Sequence, residues 1–155
     1  MKILEPIFKE VIIQLIENNV DFLLIGGYAV NYYGYGRYTG DIDFWIRPTN
    51  EQKVRLIKVL SKFGRNQEEL IEVDKLDFSE AQTISIGEQP LRIDFLTKVN
   101  LVKFDEAWEK RVEWPIGICK VPIVDYHHLI LTKFNTGRTK DKLDVEELQK
   151  INKNK

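Results

Sequence analysis

The segment Asp41-Ile42-Asp43-Phe44-Trp45-Ile46 alternates with a period of two, the period of a β-strand. Ile42, Phe44 and Ile46 share one face, and Asp41, Asp43 and Trp45 share the other. Aspartate is depleted in strands, yet the apolar neighbours mark this strand as largely buried. Carboxylates two residues apart repel each other unless cations sit between them. A fold for this chain must therefore leave the acidic pair either solvated or compensated by cations. A solvated strand face satisfies that demand. So does a site for hard cations such as Mg²⁺, which take oxygen ligands.

Composition narrows the setting. The chain has 155 residues, enough for one domain with a core of its own. With 43% hydrophobic and 30% charged residues it is not a disordered chain. Lys and Arg total 23 against 24 Asp and Glu, a net charge of −1 that excludes a histone-like binder of nucleic acid but allows a local basic patch. Cys119 is the only cysteine, so no intrachain disulfide forms, which fits a reducing cytoplasm. One cysteine and two histidines do not make the usual four-ligand structural zinc site. Lys2, Glu5, Lys9 and Glu10 interrupt the N-terminal apolar residues, unlike a signal or transit peptide. The apolar runs fall short of the ~20 residues that span a bilayer. The expectation is a cytoplasmic globular protein with no membrane contact.

Residues 6–19 carry Ile7, Val11, Ile12, Leu15 and Ile16 at helical spacing. Phe22 to Ile25 reads as a buried strand, Tyr28 to Tyr33 as a short helix and 34–40 as a loop. Asp41 to Ile46 is the second strand. Thr49 and Gln52 form a capping-box pattern for a helix to about Phe63, with Val54, Ile57, Leu60 and also Leu56 inward. Residues 64–80 suggest one helical turn and loops, with Glu68, Glu69, Glu72 and Asp74 as a solvated face. Thr83 to Ile86 and Leu91 to Leu96 read as paired strands, and Phe104 to Arg111 as a helix. Ile118 to Ile123 reads as an edge strand, since Pro122 cannot donate to a ladder. Asp125 caps a helix to about Asn135, Gly137 breaks it, and Thr139 opens a last helix to about Ile151 before a fraying lysine-rich end. The fold class is α+β, a small mixed sheet flanked by helices. Residues 1–124 form its core and 125–155 a helical C-terminal segment packed on that core.

Three features carry chemistry. Gly26-Gly27 lies between a strand and a helix, where glycine lets a phosphate approach the backbone; an ordinary tight turn is the other reading. Asp41 and Asp43 form the paired carboxylate. Asp94 interrupts the strong strand Leu91 to Leu96, either as a third site carboxylate or as the partner of Arg92 in a surface pair. Together, a glycine turn, a carboxylate pair and a third carboxylate are what two-metal phosphoryl transfer needs. His127 and His128 are adjacent on a helix and diverge, so they form no i, i+4 metal pair. Cys119 has no partner for thiol chemistry. Tyr28, Tyr32, Tyr33, Tyr35 and Tyr38 serve packing or the site rim, with one or two available to stack on a base.

Leu24-Ile25-Gly26-Gly27, a thirteen-residue spacer and Asp41-Ile42-Asp43-Phe44 resemble the signature of the nucleotidyltransferase superfamily, of the polymerase-beta-like kind. The stretch from Gly26 to Asp43 is similar to small bacterial minimal nucleotidyltransferases and the AbiEii-like toxin group. Ile93-Asp94-Phe95-Leu96 matches the third-carboxylate strand, and Lys133 with Gly137 to Asp141 and Asp144 resembles the group's C-terminal helical motif. The resemblance implies an enzyme that moves a nucleoside monophosphate from an NTP to an acceptor hydroxyl and releases pyrophosphate. It implies two Mg²⁺ ions on Asp41, Asp43 and Asp94, with Asp43 shared and Asp94 helping to deprotonate the acceptor. Gly26 and Gly27 would contact the β- and γ-phosphates. Many relatives carry serine at the second glycine; Gly27 has no hydroxyl, so that contact must come from backbone N–H groups or from elsewhere. Arg37 reads as a phosphate ligand or an exposed loop residue. Lys133 reads as a site residue or a solvated lysine. Lys140 is placed near phosphate, with Asp141 and Asp144 structural. The acceptor is an RNA 3′ end such as tRNA, a protein or a small molecule, and a toxin or antitoxin partner follows from the resemblance alone. The alternative is a non-catalytic nucleotide- or partner-binding module that keeps the fold.

Overall fold

The computed structural model describes residues 4–153; Lys2 and the last residues of the expected fraying end, 154 and 155, lie outside it. Seven helices and six strands are described: α1 (Pro6–Glu17), β1 (Phe22–Ile25), α2 (Gly26–Tyr32), β2 (Ile42–Ile46), α3 (Asn50–Leu60), α4 (Gln67–Asp74), β3 (Thr83–Ile86), β4 (Ile93–Leu96), α5 (Phe104–Glu109), β5 (Val112–Ile116), β6 (Cys119–Ile123), α6 (Tyr126–Lys133) and α7 (Thr139–Lys153). The strands form one mixed sheet in the order β3-β4-β2-β1-β6-β5. This is the α+β mixed fold that the sequence suggests. No helix among the described residues is long and apolar enough to cross a membrane.

The register places the chemistry. β1 runs antiparallel to β2, with Ile25 opposite Asp43. β2 runs parallel to β4, with Asp43 opposite Asp94. The C-terminal end of β1 and the N-terminal ends of β2 and β4 therefore meet at one edge of the sheet. The apolar face beside them is solid: Ile42, Phe44 and Ile46 are fully buried, and Phe44 stacks on Phe95 and meets Phe22 edge-on. On the acidic face Trp45 is also buried. It packs on Phe104 of α5 and donates its indole N–H to the Thr97 carbonyl at 3.2 Å. Only the acidic end of β2 stays open.

Three expectations need correction. β6 is not an edge strand, because β5 pairs along its whole length and takes the edge. Pro122 is tolerated because β6 meets β1 at a single register position, Leu24 opposite Ile123, so little ladder is lost on that side. Residues 67–74 form a full two-turn helix, fixed by a reciprocal capping box between Asn66 and Glu69. The buried stripe of α3 is Gln52, Lys53, Leu56, Val59 and Leu60, whereas Val54 faces solvent. Polar residues turn inward there because they satisfy backbone groups. Lys53 Nζ donates to the Asp74 and Leu76 carbonyls at 2.6 and 2.8 Å, and Gln52 Oε1 accepts from the Asp21 N–H at 2.8 Å.

Candidate functional site

Gly26 ends β1 with φ +68°, in the left-handed region that favours glycine. A Cβ there would also overlap Asp43 Oδ2, so the turn seats directly against the carboxylate. A Cβ on Gly27 would overlap Thr39 Oγ1 and lie 2.8 Å from Thr39 Cβ. Both glycines are thus dictated by what stands over them. They form one wall of a cavity of about 620 Å³. Asp41, Asp43, Asp94, Arg37, Lys133 and Lys140 line the same cavity, so the carboxylates, the glycines and the basic residues assigned to the site meet in one place.

Asp43 and Asp94 face each other across the β2–β4 pair. Burial, then the Asp94 charge, pushes the Asp43 carboxyl up to about 6; Lys133 opposes this rise and Asp41 adds to it. Asp94 is 8% exposed and accepts from Ser85 Oγ at 2.5 Å and from Arg92 Nε at 3.1 and 3.2 Å. Arg92 Nη2 also lies 3.2 Å from Asp41 Oδ2, which accepts from Gln89 Nε2 at 2.8 Å. The Arg92–Asp94 pair therefore exists, but inside the cavity rather than on an open surface, and its guanidinium bridges two of the three carboxylates. Among the described residues, no three Asp, Glu, His or Cys side chains are gathered closely enough to hold one ion. Asp41 is drawn aside by Arg92 and Gln89.

The donor set nonetheless fits a hard cation. Asp41 Oδ1 is buried without a hydrogen-bond partner among the described residues. Asp43 sits beside it with its charge poorly compensated. A carboxylate oxygen without a partner at an open cavity is the kind of donor that Mg²⁺ selects.

The basic residues are anchored from the C-terminal helices. Arg37 makes a fork to Asp144, Nε to Oδ1 at 2.6 Å and Nη2 to Oδ2 at 2.8 Å. Lys133 Nζ lies 2.9 Å from Asp144 Oδ2 and 3.3 Å from Asp141 Oδ1. Asp144 is fully buried. Burial raises its pKa, but hydrogen bonds from Arg37 and Lys133 outweigh that and hold it below the usual carboxylate range. Asp141 also accepts from Thr136 Oγ1 at 2.8 Å. The readings of Arg37 as an exposed loop residue and of Lys133 as a solvated lysine are overturned, because both are held in ion pairs. Lys140 is exposed at the cavity rim.

Sequence reasoning missed Arg92 as a bridge, Gln89 and Ser85 as carboxylate partners, and Thr39 over the glycine turn. The signal for Arg92 was its shared strand face with Asp94. Gln89 sits in a loop with no periodicity to reveal it. Of the tyrosines, Tyr28 is buried against Phe8, Tyr32 and Tyr33 pack on each other, and Tyr38 is exposed at the cavity.

Residues 5–155 match the model of a family described as "Nucleotidyl transferase of unknown function" (DUF2204). A search of curated proteins gives no match. Among solved structures, the fold is similar to the lincosamide antibiotic adenylyltransferase LnuA in its lincomycin-bound form, with a TM-score of 0.59 and 15% identity over 97% of this chain and 99% of that one. A putative nucleotidyltransferase from Thermotoga maritima matches with a TM-score of 0.61 and 13% identity over 96% of this chain and 92% of that one. The antibiotic-resistance factor ANT(2'')-Ia matches with a TM-score of 0.56 and 13% identity over 95% and 88% of the two chains.

Proposed function

Because the chain belongs to the nucleotidyl transferase family (DUF2204), we propose that it transfers a nucleoside monophosphate from an NTP to a hydroxyl of a small-molecule acceptor, with release of pyrophosphate. The observation that carries this reading is the convergence of Asp43, Asp94 and the Gly26 turn on one open cavity. The acceptor oxygen bonds to the α-phosphorus as the bond to the bridging oxygen breaks. Pyrophosphate leaves with that electron pair, and the acceptor's proton passes to the Asp94 carboxylate. Asp41, Asp43 and Asp94 are the residues that would hold two Mg²⁺ ions. When bound, such ions supply charge neutralisation for an in-line displacement and favour ionisation of the attacking hydroxyl.

The chain's own side chains supply the rest. Arg37, Arg92, Lys98, Lys133, Arg138 and Lys140 line the cavity against Asp41, Asp43, Asp94 and Asp141, a cationic excess that draws in a polyanion. Arg37 and Lys133 are already fixed by Asp144, so little side-chain freedom is lost when a triphosphate enters. Positioning of this kind is the main contribution of protein to phosphoryl transfer. The cavity volume suits a nucleotide with a small acceptor, and the fold neighbours named for antibiotic adenylylation support that class.

The test uses purified protein, Mg²⁺ and each α-labelled NTP, with a panel of small polyhydroxylated compounds, total RNA and a protein extract in separate reactions. Label should appear in the small-molecule reactions and vanish with Asp43→Ala. Absence of transfer in all reactions, with no NTP-dependent thermal shift, would overturn the reading in favour of a partner-binding module.

A further inference from the structure

The space beside Gly27 is filled by another residue of the chain. A side chain at position 27 would collide with Thr39 Oγ1 and Thr39 Cβ, so the loop 34–40 places a hydroxyl against the turn where a side chain on residue 27 would begin. Thr39 is 7% exposed and lines the cavity together with Gly26, Gly27, Asp41 and Asp43. Arg37 Nη1 lies 3.2 Å from the same built position, so a guanidinium and a hydroxyl converge on one side of the turn. The Thr39 hydroxyl donates to the Asp41 carbonyl at 3.2 Å. A hydroxyl hydrogen rotates to suit its best acceptor, and an ionised phosphate oxygen is a stronger acceptor than a peptide carbonyl.

We propose that Thr39 is a nucleotide-binding residue, and that its hydroxyl donates a hydrogen bond to a phosphate oxygen of the bound nucleoside triphosphate in place of a side chain on Gly27. This deepens the nucleotidyltransferase reading above and rests on it. Position 27 can be glycine because position 39 carries the donor, and the two residues form one functional unit split between the β1–α2 turn and the β2 approach loop. The neighbouring guanidinium selects an anion at this place over a neutral group.

The test is isothermal titration of the full chain with the non-hydrolysable α,β-methylene analogues of ATP, GTP, CTP and UTP in the presence of Mg²⁺, with thermal melting of every variant. The wild type binds at least one analogue. Thr39→Val keeps the shape and removes the hydroxyl, and should weaken that binding about ten- to hundredfold, the range for one hydrogen bond to a charged group. Thr39→Ser should bind within a few-fold of wild type. Gly27→Ser alone should bind poorly because of the collision, and the double variant Gly27→Ser with Thr39→Gly should recover most of the affinity by moving the hydroxyl to the other residue. Wild-type affinity within twofold in a folded Thr39→Val protein would overturn the inference while leaving the nucleotidyltransferase reading intact. Failure of the wild type to bind any analogue would overturn both.

Discussion

Asp43 has no room for error on either side. Oδ2 stands where a Cβ on Gly26 would be, and Asp94 faces it from the next strand. Gly26→Ala adds a methyl group where Asp43 Oδ2 stands and places an L-residue at φ +68°. The variant should lose about 1–3 kcal/mol of stability, the scale of a strained backbone site, and at least tenfold in transfer rate, checked by denaturant melts and initial rates. The raised pKa of Asp43 makes a second prediction with a definite sign. Its folded value of about 6 lies above the ordinary value of 3.8, so the folded protein binds the extra proton and loses stability as pH rises between those values. Asp43→Asn removes that penalty. In chelator the variant should melt a few degrees above wild type at pH 8, a gain on the order of 1–3 kcal/mol, and no higher than wild type at pH 4. Transfer activity should be lost at every pH.

At the scale of elements, the site is a clamp between the Arg37 loop and helices α6 and α7. Asp144 lies 107 positions from Arg37 and carries two of its hydrogen bonds as well as a contact from Lys133. Asp144→Ala would strip Arg37 of its carboxylate and leave Lys133 with Asp141 alone. It should cost about 3–5 kcal/mol, the usual penalty for breaking a buried pair, read as a drop in urea midpoint. The depressed pKa of Asp144 means that its stabilising contribution is present above the ordinary carboxylate range and fades as pH falls through its lower folded value. Acid melting of wild type should therefore be steeper than that of Asp144→Asn. This clamp was only partly legible in the sequence. Gly26-Gly27, Asp41, Asp43 and Asp94 announce themselves because alternation and turn chemistry are local. An ion pair spanning 107 positions leaves no local trace. β5 was hidden for a different reason: Val112, Trp114 and Ile116 alternate correctly, but Pro115 reads as a breaker until the strand is seen to sit at the sheet edge. The α3 stripe was misplaced because Lys53 is buried through bonds to the carbonyls at the end of α4, which no hydrophobic pattern encodes.

At the scale of the whole molecule, 155 residues give one sheet and its helices, and the cavity opens where the polar ends of β2 and β4 emerge. A ligand that binds only the folded state raises stability by mass action. An NTP analogue with Mg²⁺ at 100 times its Kd should add about 2.7 kcal/mol, seen as a rise of several degrees in Tm, and the rise should shrink in Asp144→Ala if the clamp shapes the phosphate site. The Arg92 bridge has a consequence for how such a protein comes into being. Its guanidinium already neutralises parts of Asp41 and Asp94, so the chain reaches its native state on an internal counter-ion and does not wait for an external one.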